Sequence, residues 1–258
     1  MAHSIKFNTA DMSDHKLIVV SSGVNILRQL VSRIQLQDRG YAFRPAREHR
    51  HIKIECAVTG TTRADLDANL DNIRLILTEL VPKKLVFDAL SDRYFNAILE
   101  SLEGNYDSTT LFRGVLMFVC PDPLGFSTDD PIDHDHDIDE VAKTIYEPAA
   151  GVIGGTAYIT PVYTLTAQNA LEGATIKLEN VTTGEELQWI GSLGIGDTLV
   201  IDVARWLVSE GAVASMSGVQ AGSKFPRLKP AAQNELLVTG LKTTDTGNLN
   251  ILYSEVYL

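Results

Sequence analysis

The stretch "DDPIDHDHDIDE", residues 129–140, gathers six aspartates, a glutamate and two histidines, with no basic residue. Carboxylate oxygens and imidazole nitrogens are ligands for divalent and transition metals, so this is where chemistry is first sought. Asp133, Asp135 and Asp137 have the spacing of the first ligands of an EF-hand loop. The match stops there: Ile138 stands where the loop needs glycine, and Thr144 where it needs glutamate. In an extended chain Ile132, His134, His136 and Ile138 would share one side and the aspartates the other. The segment therefore reads as a solvated linker or edge strand, with a weak transition-metal site on His134 and His136 as the alternative. No metal is assigned to it.

Other signs of catalysis are lacking. All six histidines (His3, His15, His49, His51, His134 and His136) precede residue 137, so the second half cannot supply its own Ser-His-Asp arrangement. There is no G-x-S-x-G elbow, Walker A loop or H-E-x-x-H helix. "GSLGIGD", 191–197, has no helix pattern after it and reads as a tight turn between strands. Asp197 and Asp202 read as turn and cap residues around an apolar strand. Trp189 alternates with Leu187, and Trp206 sits among Val203, Leu207 and Val208, so both tryptophans read as core; a sugar-binding face would need them exposed. Catalytic residues and cofactors are expected to be absent.

The chain has 258 residues and a net charge of −11, with 45% hydrophobic and 21% charged residues, a globular balance. Residues 1–128 are neutral, 129–140 carry −7 and 141–258 carry −4. This distribution argues against a dedicated nucleic-acid binder, which needs a basic face. No apolar run approaches the roughly 20 residues of a bilayer span, and the first residues lack the apolar core of a secretory signal. Cys56 and Cys120 read as two buried thiols. Arginines cluster at 28, 33, 39, 44, 47 and 50, opposed between 28 and 50 only by Asp38 and Glu48. With aromatic Tyr41 and Phe43 beside them, a protein interface is the preferred reading over a nucleic-acid contact.

The elements that must position these residues are mostly strands. "SIKFNTADM" and "HKLIVVSSGV" read as strands, as do "KKLVFDAL", "RYFNAILESLEG" and "TLFRGVLMFVC". One helix is expected over 62–81: Leu66, Leu70, Ile73, Leu77 and Leu80 recur at steps of four and three, Thr62 can cap it with Asp65 three residues on, and Pro82 stops it. Pro121-Asp122-Pro123-Leu124-Gly125-Phe126 makes a rigid turn that cannot continue a central strand. From Gly151 onward short strands alternate with turns, the pattern of a β-sandwich or barrel. The expected fold is mainly β, in two domains, 1–128 with the packed helix and 151–258, joined by an acidic linker over 129–150.

The order "IKFNTADMSD", "IKIECAVTGTTRADLDANLDNIRLIL", "RYFNAILESLEG" and "LFRGVLMFVCPDPLGF" resembles the N-terminal domain of siphophage distal tail proteins. The second half continues the resemblance with a G-D-x-L-x-I-D strand at Gly196–Asp202 and an "S-x-F-P-x-L-x-P" loop at Ser223–Pro230. It departs from the family at Ala231-Ala232-Gln233-Asn234, where the loop's usual glycine is missing. The resemblance covers nearly the whole chain. It implies an N-terminal β-sandwich or split barrel and a C-terminal galectin-like β-sandwich. It also implies a hexameric ring at the virion's tail tip, assembled in the host cytoplasm, around a channel that passes DNA. Its implied partners are the tail tube protein, a tail-tip hub protein and a receptor-binding or side-fibre protein, with no membrane contact. In such a ring Arg39, Tyr41, Phe43 and Arg44 would contribute to the contact between copies, and the acidic segment would hold the two domains apart. The alternative function is a carbohydrate-binding module acting through the C-terminal sandwich.

Overall fold

The computed structural model describes residues 4–23, 49–139, 141–241 and 246–257. The chain divides into two compact units, residues 1–128 and 129–257. Antiparallel strands make up most of both, and the mainly-β class expected from the sequence is the class observed.

The first unit runs β1 (Ile5–Phe7), β2 (Ala10–Asp11), β3 (Leu17–Gly23), β4 (Arg50–Thr59), α1 (Arg63–Leu77), β5 (Lys83–Phe87), β6 (Leu90–Ser108), β7 (Leu111–Cys120) and β8 (Gly125–Ser127). The strand order is β2-β1-β5-β6-β7-β4-β3, with β8 added beside β6. The 19-residue β6 joins two half-sheets. Its first part pairs with β5 and β8, and its second part with β7. The register shifts between Leu99 and Ser101, a bulge of the kind that lets one strand bend from one half-sheet to the other.

The helix is built as its sequence requires. Thr62 is extended and its side chain accepts from Asp65 N, the first half of a capping box. Leu66, Leu70, Ile73 and Leu77 are fully buried against β4 and the 3-10 turn Met12–His15. Removing four such side chains from water stabilises the unit by roughly 1.5–3 kcal/mol each. Gly60 precedes the cap because a Cβ there would lie 2.4 Å from Leu66 N. The helix ends earlier than expected. Thr78 leaves the helical region, its hydroxyl bonding back to Arg74 O at 2.6 Å. Leu80 lies outside the helix and is 93% exposed, so it does not extend the buried face.

The second unit comprises β9 (Ile132–Ile138), β10 (Ala142–Glu147), β11 (Val162–Ala167), β12 (Leu171–Asn180), β13 (Glu185–Leu193), β14 (Thr198–Asp202), β15 (Leu207–Glu210), β16 (Val213–Ala214), β17 (Asn234–Thr239), β18 (Gly247–Tyr253) and β19 (Val256–Tyr257). A six-stranded sheet has the order β16-β15-β14-β11-β18-β9, and a four-stranded sheet the order β10-β17-β12-β13. The alternating burial of β11, β12, β14 and β18 places every second residue in the core, as a sandwich demands.

Residues 129–150 are not a linker. Ile132–Ile138 pairs residue for residue with β18, and Ala142–Glu147 with β17, so the stretch supplies one strand to each sheet. The alternation of Ile and His with Asp suits a half-buried edge, where the strand's backbone groups find ladder partners that an extended linker would lack. The second unit accordingly begins near residue 129 rather than 151.

Candidate functional site

In β9 the aspartates and the histidines face opposite ways. Asp133, Asp135 and Asp137 are exposed. The amide of Asn250 on β18 donates to Asp135 at 3.0 Å and also to Asp133, and Asn248 donates to Asp137 at 3.5 Å. On the other side stands Glu147, the last residue of β10 and fully buried. Its Oε1 accepts from His134 Nδ1 at 2.7 Å and from the Tyr253 hydroxyl at 2.8 Å, and its Oε2 accepts from His136 Nε2 at 3.2 Å. Burial, the bond to Glu147 and the charges of Glu147 and Glu255 hold the Tyr253 hydroxyl protonated well above the usual phenol range. It is therefore a fixed donor.

A metal does not suit this arrangement. Two imidazoles on a tetrahedral ion, with nitrogens at about 2.0–2.1 Å, bring their ring centres to roughly 5 Å. Here the rings are 6.4 Å apart and edge-to-face, one at each oxygen of the carboxylate. No group of three His, Cys, Asp or Glu side chains among the described residues is arranged to hold an ion.

The predicted turn lies between β7 and β8. Asp122 Oδ1 accepts from Leu124 N at 3.1 Å, an Asx turn between two prolines. At Gly125 a Cβ would meet the Phe95 ring at 3.1 Å, so glycine lets β8 approach β6 closely. Phe126 then stacks on Tyr94 with ring centres 5.6 Å apart, and Lys84 Nζ lies 4.4 Å from the Tyr94 ring centre. Cys120, just before the turn, and Cys56 are buried, and desolvation pushes each thiol up to about 11. Both are inert at neutral pH. Arg39, Tyr41, Phe43 and Arg44 lie outside the described residues.

The loop before β17 is pinned by buried amides. Asn234 is fully buried. Its Oδ1 accepts from Lys229 N at 2.7 Å and from Asn180 Nδ2 at 3.1 Å, while its Nδ2 donates to Lys229 O at 3.0 Å and Ala232 O at 3.4 Å. Arg227 grips Glu185 through side chain and backbone, with Nε to Oε1 at 2.9 Å and N to Oε2 at 2.8 Å. The guanidinium also lies 4.7 Å from the Tyr158 ring centre. Ala231, at the departure from the family pattern, has φ of 51°. An L-residue in that left-handed region is strained by about 1–2 kcal/mol. Ala231→Gly should therefore stabilise the second unit by about 0.5–1 kcal/mol in urea denaturation, since glycine's extra unfolded-state freedom offsets part of the relief.

The two tryptophans separate. Trp189 is fully buried, as its alternation with Leu187 suggests. Trp206 is not core: it is 42% exposed, with φ of 57°, in the turn between β14 and β15. Its ring centre lies 5.3 Å from that of Phe225. Asp202 Oδ1 accepts from Arg205 N at 2.9 Å and so starts that turn. Of the apolar neighbours of Trp206, Val203 thus lies in the turn itself, and Leu207 and Val208 belong to the strand that follows it. Asp202, read from the sequence as a turn or cap residue, was the available signal of this turn. Asp197 has the turn role expected of it, accepting from Gly194 N at 2.8 Å. An open polar groove of about 290 Å³ is lined by Glu186, Gln188, Gln220, Ser223 and Lys224, among others.

No protein-family model matches the chain. No curated protein matches it either. Among solved structures, it is similar to the Dit protein (gp 19.1) of phage SPP1, described as a paradigm of the hub adsorption apparatus in phages infecting Gram-positive bacteria. The TM-score is 0.71 at 13% identity, over 100% of each chain. A chain of the phage P2 baseplate in its activated conformation with Ca gives a TM-score of 0.44 at 11% identity, over 98% of each chain. The fold implied by the resemblance to siphophage distal tail proteins is thus the fold observed, through both units in order.

Proposed function

We propose that the chain is a structural protein of a bacteriophage tail. In this reading it forms a hexameric ring hub at the distal end of a long non-contractile tail and is a virion component assembled in the host cytoplasm. The ring joins the tail tube protein to tail-tip and host-adsorption proteins, receptor-binding or side-fibre proteins included, and DNA passes through its channel. It needs no cofactor and does no catalysis. The observation that carries the reading is the likeness to the SPP1 distal tail protein over the full length of both chains. The turn at Pro121–Phe126 and the Phe225-Pro226 loop, which carry the sequence resemblance, support it independently.

A ring requires a heterologous contact that closes on itself. Arg39, Tyr41, Phe43 and Arg44 are assigned to that contact. Guanidinium and aromatic groups dominate interface energetics, and the acidic excess of the rest of the chain provides the complementary charge. Arg39→Glu with Arg44→Glu should convert a species near six times the 28.2 kDa chain mass into monomers in multi-angle light scattering. A ring that survives the double substitution contradicts this assignment.

A second reading is favoured by one observation: Trp206 is exposed, and a carbohydrate site needs an exposed aromatic face. Under it the C-terminal sandwich grips host-surface glycans. Glycan-array binding that disappears with Trp206→Ala would support it, and an array without signal for the native protein would remove it.

A further inference from the structure

Strand β15 is closed on its outer side by a sulfur atom. It pairs with β16 through Ser209 with Ala214 and Glu210 with Val213, at one end of the six-stranded sheet. The chain then passes through Ser215 into a 3-10 turn, Met216–Gly218. Ser215 N donates to Val208 O at 2.8 Å, and Val208 N donates to Met216 Sδ at 3.2 Å. The thioether thus stands where the next carbonyl of a strand ladder would accept. It is a weak acceptor, but Val208 is wholly buried, so bulk water does not reach its N–H to take the sulfur's place.

Met216 itself is 41% exposed. Of the other methionines described, Met12 is wholly buried in the first unit and Met117 is half-buried on β7. The turn that carries Met216 is also tied to the core of the second unit. Ser215 Oγ accepts from the Trp189 indole at 3.2 Å and donates to Glu210 Oε1 at 2.6 Å. Gly218 lies so close to that indole that a Cβ there would stand 2.4 Å from Nε1. One exposed thioether therefore joins the end of the sheet to the turn that covers a buried tryptophan.

We propose that Met216 is an oxidation site for peroxides and that its sulfoxide unfastens this end of the sheet. The Sδ lone pair that does not face Val208 attacks one oxygen of hydrogen peroxide. The O–O bond breaks, an S–O bond forms, and the departing hydroxide takes the proton left on the transferred oxygen and becomes water. Sulfur loses two electrons and the peroxide gains them. The sulfoxide is polar and bulkier, and its acceptor is the new oxygen rather than the sulfur. Val208 cannot follow that oxygen, because β15 is held in register by Leu207 on Asp202 and Val208 on Ile201. The turn must shift instead, and the Val208 N–H loses its partner. Methionine sulfoxide reductase reverses the step, so this edge responds to oxidant in both directions.

The test treats the full-length native protein with hydrogen peroxide at neutral pH. Peptide mass mapping should find oxygen added to Met216 at least about tenfold faster than to Met12. Amide hydrogen exchange over residues 207–219 should then speed up by about five- to tenfold, the factor for one lost hydrogen bond, while β12 stays unchanged. Methionine sulfoxide reductase should restore the original rates. Met216→Leu, which offers peroxide no sulfur at this position, should show the same exchange before and after treatment, which separates Met216 from Met117. Oxidation of Met216 no faster than that of Met12, unchanged exchange over β15 in the oxidised protein, or an equal response to peroxide in Met216→Leu overturns the proposal.

Discussion

Replacing Trp189 by alanine is expected to destabilise the second unit by about 3–5 kcal/mol, the cost of emptying an aromatic site in a close-packed core. The ring is fully buried on β13, and two glycines make room for it. A Cβ at Gly191 would lie 2.2 Å from the ring carbons Cη2 and Cζ2, and one at Gly218 would lie 2.4 Å from Nε1. The indole Nε1–H donates to Ser215 Oγ at 3.2 Å, and Ser215 in turn donates to Glu210 Oε1 at 2.6 Å. The site is thus filled, flanked and hydrogen-bonded, with little scope to collapse around a void. Urea denaturation checks the magnitude. A double-mutant cycle checks the cause: Gly191→Ala should be strongly destabilising in the native background and far less so beside Trp189→Ala, because the ring it collides with is gone. Additive effects would mean that the ring does not occupy the space above Gly191.

Asn234→Ala should cost the same unit about 2–4 kcal/mol, as expected when buried polar partners are left unsatisfied. One side chain satisfies the backbone of Lys229 in both directions and meets Asn180, which itself donates to Arg227 O at 2.6 Å. Alanine leaves Lys229 N without its acceptor and unties the loop holding Arg227 against Glu185. Asn234→Asp, which puts a carboxylate oxygen against the carbonyls of Lys229 and Ala232 and a buried negative charge opposite Glu147, should cost at least as much as alanine. Thermal melting reads the order, and a loss below about 1 kcal/mol for alanine would show that water replaces the amide.

These residues also mark what sequence periodicity reveals and what it misses. The helix face at Leu66, Leu70, Ile73 and Leu77 was legible, because a 3.6-residue period is enforced by geometry over four turns. Its end was not, because Leu80 keeps the period while Thr78 spends its hydroxyl on Arg74 O and leaves the helix. Trp189 was legible through alternation within one strand. Trp206 was not, since it and Val203 lie in a turn, and Leu207 and Val208 in the strand after it. The acidic segment shows the limit most clearly. Its alternation of Ile and His with Asp was readable as a strand, yet its charge favoured a linker. The deciding partner, Glu147, lies 13 residues from His134 and 11 from His136 on another strand, and nothing local connects them. Asn234 belongs to the same class: the loop's departure from the family pattern was visible at Ala231, but the amide that holds the loop meets Asn180, 54 residues away.

The central claim is assembly, and imaging the purified full-length protein by negative-stain electron microscopy tests it most directly. Closed six-fold rings with an open central channel are predicted. A uniform field of single compact particles, unchanged on concentrating the sample, would contradict the hub reading.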